Sequence, residues 1–96
     1  MIQPLPHAHV VLHCPLADAA LLEPFVEACI AQGVELIAAG GDGAREIEDE
    51  IDWIVVGDGD GDPVRFIVTT AHDTIEEARA FASILLEGKP LQEVRL

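Results

Sequence analysis

Basic side chains are scarce in this chain. Arg45, Arg65, Arg79, Lys89 and Arg95 stand against eighteen carboxylates, a formal net charge of -13. A surface of that sign repels phosphate backbones, which argues against direct binding of nucleic acid or of an anionic membrane and leaves basic proteins and cations as the partners to expect. Cysteine is nearly absent too: Cys14 and Cys29 lie too far apart for a Cys-x-x-Cys metal site and are too few for a disulfide framework. Two reduced thiols fit a cytoplasmic protein. No apolar run reaches the roughly 18 to 20 residues that a bilayer span needs, and the opening Met1-Ile-Gln-Pro-Leu-Pro has neither the basic region nor the apolar core of a secretion signal. The expectation is a soluble protein with one domain over residues 1–96, in which residues 1–7 form an irregular arm.

What the chain does have is apolar periodicity. The run Val64-Arg-Phe-Ile-Val-Thr-Thr-Ala71 is the most strand-like, with apolar residues directed to both sides, and this predicts a central strand covered by helices on both faces. Ala8-His-Val-Val-Leu-His-Cys14 reads as a first strand stopped by Pro15. Leu21, Leu22, Phe25, Val26, Cys29 and Ile30 recur at helical spacing. Pro24 belongs in the first turn of that helix, which begins near Leu22 or is led in by a turn at Asp18; Gly33 ends it. A second strand covers Val34–Ala39, and Gly40-Gly-Asp-Gly43 leads to a helix capped by Asp42 with Ala44, Ile47, Ile51 and Ile54 on its inner face. That helix is expected to run to about Ile54 with an extended exit, although Trp53–Val56 also reads as a short strand in a hairpin closed by the Gly57–Pro63 loop. Asp73 with Glu76, or Thr74 with Glu77, forms a capping box for a third helix carrying Ile75, Ala78, Phe81, Ala82 and Leu85. Gly88 and Pro90 stop it, and Leu91–Leu96 makes a final edge strand.

Alternation of strand and helix predicts an α/β fold, a three-layer sandwich around a mostly parallel four-stranded sheet, in a minimal flavodoxin-like or Rossmann-like arrangement. The expected order is 2-1-3-4, with the first helix on one face and the other two opposite. Ligands of such sheets sit where the winding reverses, beyond the carboxyl ends of the strands. In that order the reversal gathers His13 and Cys14 with Thr69, Thr70, His72 and Asp73, near the Gly40–Gly43 loop. Successive strand residues point to opposite faces, so His13 and Cys14 do not share an ion, and neither a metal nor a cofactor is expected. A Cys14–His72 nucleophilic pair lacks a third group to orient it. The competing reading packs Cys14 under the first helix, bonds His72 to backbone at a helix start and leaves the other histidines in water. Gly40–Gly43 matches no phosphate-binding fingerprint, and Asp42 would repel a phosphate. Asp58-Gly-Asp-Gly-Asp62 opens like a calcium loop, but Pro63 stands where the turn glycine belongs and no glutamate closes the ligand set.

Nine of the eighteen carboxylates fall between Asp42 and Asp62. Glu46 with Glu50 and Glu48 with Asp52 are four apart on one helix and repel by about 0.2 to 0.5 kcal/mol each. Folding does not ask for that. Glu48-Asp49-Glu50-Ile51-Asp52 and Thr69-Thr70-Ala71-His72 resemble two patterns, His-Asp-x-x-Asp and Thr-Thr-Trp-His, of a small bacterial α/β family of unknown function. The likeness extends over most of the chain, with Glu48 in place of the histidine and Ala71 in place of the tryptophan. It implies the same fold and a role for Asp49, Asp52 and His72, and it supplies no activity. Two functions fit these features. One is a non-enzymatic interaction module that meets a basic protein through Asp42–Asp52 and the Gly57–Pro63 loop. The alternative is a small ligand-binding, metal-binding or enzymatic domain acting at the carboxyl ends of the first and third strands, with His72 as general base or ligand.

Overall fold

The computed structural model describes residues 3–56, 67–84 and 86–96. Its elements follow the expected alternation: β1 (His9–Cys14), a 3-10 turn at Ala19–Leu21, α1 (Leu22–Ala31), β2 (Leu36–Gly41), α2 (Ala44–Val56), β3 (Val68–His72), α3 (Ile75–Ala82) and β4 (Leu91–Arg95). The four strands form one all-parallel sheet, so the chain is an α/β domain. No described helix is long and apolar enough to cross a membrane. The Phe66 half of the strand expected at Val64–Ala71, the Gly57–Pro63 loop and the Asp58–Asp62 run lie outside the described residues.

The sheet order is β3-β2-β1-β4. As in the 2-1-3-4 expectation, β1 lies beside β2 and β4 takes an edge. The difference is β3, which pairs with β2 instead of β1 and forms the other edge among the described residues. It is therefore not central: its pattern is one exposed and four half-buried residues, whereas all six residues of β1 are buried. Apolar residues on both sides of a strand do not require cover on both sides, because Ile67 is buried while Val68, on the side of α3, is left 45% exposed.

This order also redistributes the helices. The chain winds from β1 to β2 to β3 in one direction, so right-handed crossovers put α1 and α2 on the same face. There Phe25, Val26 and Cys29 from α1 and Ile51 from α2 pack on Val10, Leu12 and Ile37. The return from β3 to β4 spans the whole sheet in the opposite direction and leaves α3 alone on the other face, where Ala78 and Ala82 pack on Val11, Leu36 and Ala38. Gly40 permits that closeness, since a Cβ there would stand 2.7 Å from both the Ala78 Cβ and the Thr74 carbonyl oxygen.

Helix boundaries follow local chemistry. Both expected starts of the first helix occur in succession: Asp18 accepts from the Ala20 N–H at 3.1 Å to cap the 3-10 turn, and α1 begins at Leu22 with Pro24 in its first turn. For α2 the cap position is Gly43, whose carbonyl takes the Ile47 N–H at 3.1 Å, so Asp42 lies just outside the helix and does not cap it. Trp53–Val56 is helical, extending α2 beyond Ile54. Thr74 caps α3 by accepting from the Glu77 N–H at 3.1 Å.

Candidate functional site

The candidate site residues His13, Cys14, Asp42, Asp49, Asp52, Thr70, His72 and Asp73 fall into four separate places. His13 and His72 both register with Gly40, one from each neighbouring strand. Their side chains share the α3 face, yet two strand spacings separate them by about 10 Å, and the start of α3 sits on Gly40 between them. They do not converge. His13, buried, donates from Nε2 to Glu93 Oε1 at 2.8 Å, while Arg79 grips the same carboxylate through Nε at 2.6 Å and Nη2 at 2.9 Å. These hydrogen bonds, first from Arg79 and then from His13, hold the Glu93 carboxyl down to about 2.

Cys14 points to the other face, as strand alternation requires, and packs with Ala39, Ala44, Ile47 and Ala71. Its cover is thus the start of α2, not the first helix. Burial raises its pKa, and burial pushes that of Cys29 up to about 12, which leaves both thiols poor nucleophiles. The Cys14–His72 pair is ruled out by the same alternation. Nor are the remaining histidines all in water: His9 is buried and its Nδ1–H donates to the Ala82 carbonyl at 2.8 Å.

At the carboxyl end of β3, His72 Nε2 and Thr70 Oγ1 are hydrogen-bonded at 2.9 Å, and the imidazole lies 5.2 Å from the Phe81 ring, tilted by 43°. A side-chain bond therefore stands where a bond to the helix-start backbone was expected. Asp42 and Asp73, both exposed, border a depression of ≈ 340 Å³ together with Arg45, Glu46 and His72. Arg45 approaches Asp73 at 3.9 Å across solvent. The winding reversal lies between β1 and β4, and there the Leu96 carbonyl is taken by the Ala17 and Asp18 N–H groups at 2.7 and 3.2 Å. The reversal thus falls beside β4 and not between the first and third strands, where the ligand was expected, and the chain itself bridges it. Among the described residues, no three His, Cys, Asp or Glu side chains are grouped to hold a metal ion.

Asp49 and Asp52 lie on the outer face of α2, where the sequence reading missed the main feature. Trp53 is 75% exposed. It stands between two shallow depressions, one of ≈ 390 Å³ lined by Asp49, Asp52, Trp53 and Val56, the other of ≈ 320 Å³ reached by Glu23, Glu50 and Ile54. Ile47, Ile51 and Ile54 define the inner stripe of this helix, and Trp53 falls off that stripe, a signal already present in the spacing. Asp52 accepts a hydrogen bond from the Thr69 hydroxyl, which ties α2 to β3. Among the described residues, none of Glu46, Glu48, Asp49, Glu50 and Asp52 forms an ion pair. Glu48 has its pKa raised, chiefly by burial and then by Asp52 and Asp49.

The two patterns around Asp49–Asp52 and Thr69–His72 therefore meet in space through Asp52 and Thr69. A family model described as a domain of unknown function (DUF7684) matches residues 2–94. The chain belongs to this family. No curated protein and no solved structure matches it. In this DUF7684 domain the acidic helix and the edge strand meet through Asp52 and Thr69, while His9, His13, His72 and the two cysteines are engaged in packing and internal hydrogen bonds.

Proposed function

We propose that this DUF7684 domain is a non-enzymatic interaction module whose docking face is the outer side of α2, and that its partner is a basic protein. The observation that supports this most is the exposure of Trp53, 75%, among carboxylates on both sides of the indole. Leaving a tryptophan in water gives up the burial that would stabilise the fold. Tryptophan is also the side chain most concentrated at binding hot spots, and its ring face attracts a lysine or arginine cation. The surrounding carboxylates supply charge complementarity, which speeds encounter and selects the partner. A ligand or catalytic site at the strand ends has less support, because the groups it needs are held apart by Gly40 and α3 and already bonded within the fold.

Titration of isotopically labelled protein with an oligoarginine peptide tests the reading. Chemical-shift changes should centre on α2 and on the Trp53 indole N–H and should fade as salt is raised, because screening shortens from about 10 Å at 0.1 M to about 3 Å at 1 M. Trp53→Ala should weaken binding, while Glu76→Gln, Glu77→Gln and Glu87→Gln together, which remove charge from elsewhere, should not. Shifts spread evenly over both faces, or indifference to Trp53→Ala, would sink the proposal.

A further inference from the structure

The edge strand β3 adds a feature that the acidic helix alone does not have. The Val68 N–H donates to the Glu35 carbonyl at 3.1 Å, so the backbone of Val68 faces β2. In a parallel pair, alternate residues turn their N–H and C=O groups the other way, which directs those of Thr69 and Ala71 outward. Among the described residues, no strand pairs with that side. The two flanks of this edge differ in chemistry. On the α2 side, Thr69 contacts Asp52, which borders the depression formed with Asp49 and Trp53. On the α3 side, Val68, Phe81 and Ile84, exposed by 45%, 40% and 59%, border an apolar depression of ≈ 350 Å³.

We infer that the outer edge of β3 receives an extended segment of the basic partner as an added strand, and that this segment alternates basic and apolar residues. The inference rests on the docking reading above and sharpens it. A strand laid along this edge projects successive side chains to opposite faces. One set meets Asp49 and Asp52, and the other meets Val68, Phe81 and Ile84. Main-chain hydrogen bonds to Thr69 and Ala71 provide affinity, and the two flanks provide specificity. A second copy of this chain does not fit as the occupant, because Val68-Thr-Thr-Ala-His72 offers no basic residue to Asp49 and Asp52, and two chains of charge -13 repel.

The test uses a short peptide of alternating arginine and valine, a peptide of the same composition with its arginines in one block, and alternating peptides N-methylated on one edge or the other. The alternating peptide should bind more tightly than the block peptide and slow amide hydrogen exchange at Thr69 and Ala71. N-methylation along the bonding edge should abolish binding, and methylation along the opposite edge should not. Thr69→Pro removes an outward N–H and keeps the β2 pairing, as edge prolines do, and should weaken binding about tenfold, the scale of one lost hydrogen bond. Thr69→Ala keeps the N–H and should stay within about threefold. If the alternating peptide binds at α2 with exchange at Thr69 and Ala71 unchanged, strand addition is overturned while the docking face stands. If neither peptide binds, both readings fail. Slower exchange at these amides on raising the protein concentration alone would make a second copy the occupant and overturn the inference.

Discussion

The two faces of the sheet solve the same problem with different materials. Under α1 and α2 the cover is thick, built from Phe25, Leu22, Val26 and Ile51 against Val10, Leu12 and Ile37, and the outer surface of that layer is acidic with Trp53 exposed. On the opposite side a single helix of eight residues packs through Ala78 and Ala82 directly onto Gly40 and Ala38. That thin side collects the structural charge pairs, Arg79 and His13 with Glu93, and Lys89 with Glu35 at 3.1 Å. The contrast separates roles. Cations in short supply are used to fasten α3 and β4, while the carboxylates of α2 have no ionic partner among the described residues and are left to act outward.

Breaking the thick side should have the largest effect. Phe25→Ala removes a fully buried ring and should cost about 3 to 5 kcal/mol in denaturant melts, whereas Phe81→Ala on the thin side, partly exposed and tilted against His72, should cost about 1 kcal/mol. Equal losses would erase the distinction between the faces. The thin side should respond to added volume instead. Gly40→Ala forces α3 away from β2 and should cost about 1 to 3 kcal/mol in the same melts. An unchanged midpoint would mean that α3 does not depend on that closeness.

Charge sharpens the comparison further. The carboxyl of Glu93, held at about 2 against an ordinary 4.5, contributes stability that is fully present above that ordinary value and is lost as the pH falls toward about 2. Glu93→Gln should therefore flatten the acid limb of stability measured by melts across this range. Glu48 is shifted the other way, so ionising it costs a little stability as the pH rises through its ordinary range. The smallest effect belongs to α2: Glu46→Gln, Glu48→Gln and Glu50→Gln together leave the Asp52–Thr69 bond intact and relieve two repulsions of about 0.2 to 0.5 kcal/mol each. The midpoint should hold or rise slightly. A marked fall would show that these carboxylates are held inside the fold.

Sequence periodicity carried the elements far better than their assembly. Phe25, Val26 and Cys29 announce an inner helix face, and Ile47, Ile51 and Ile54 another, because such spacing is a local property. The place of β3 depends on which strand it meets across the sheet, and Ile67 and Val68 look alike in sequence although one is buried and the other is not. The candidate site was legible in the same partial way. Asp49, Asp52 and the Thr69–His72 pattern carried a signal, but their meeting through Asp52 and Thr69 needed the β2–β3 pairing. His13 and His72 were misjudged as neighbours for the converse reason, since only the fold shows α3 seated between them.

The exposure of Trp53 has an optical consequence. It is the only tryptophan, and the chain contains no tyrosine. The indole already meets water in the native state, so native emission should resemble that of the denatured chain, and unfolding of the core should pass almost unseen by fluorescence while circular dichroism records it. The same dye built into the chain lies within the proposed docking face, where shielding from water or an arriving cation would alter its emission. Light from this protein should therefore report what binds to it more faithfully than whether it is folded.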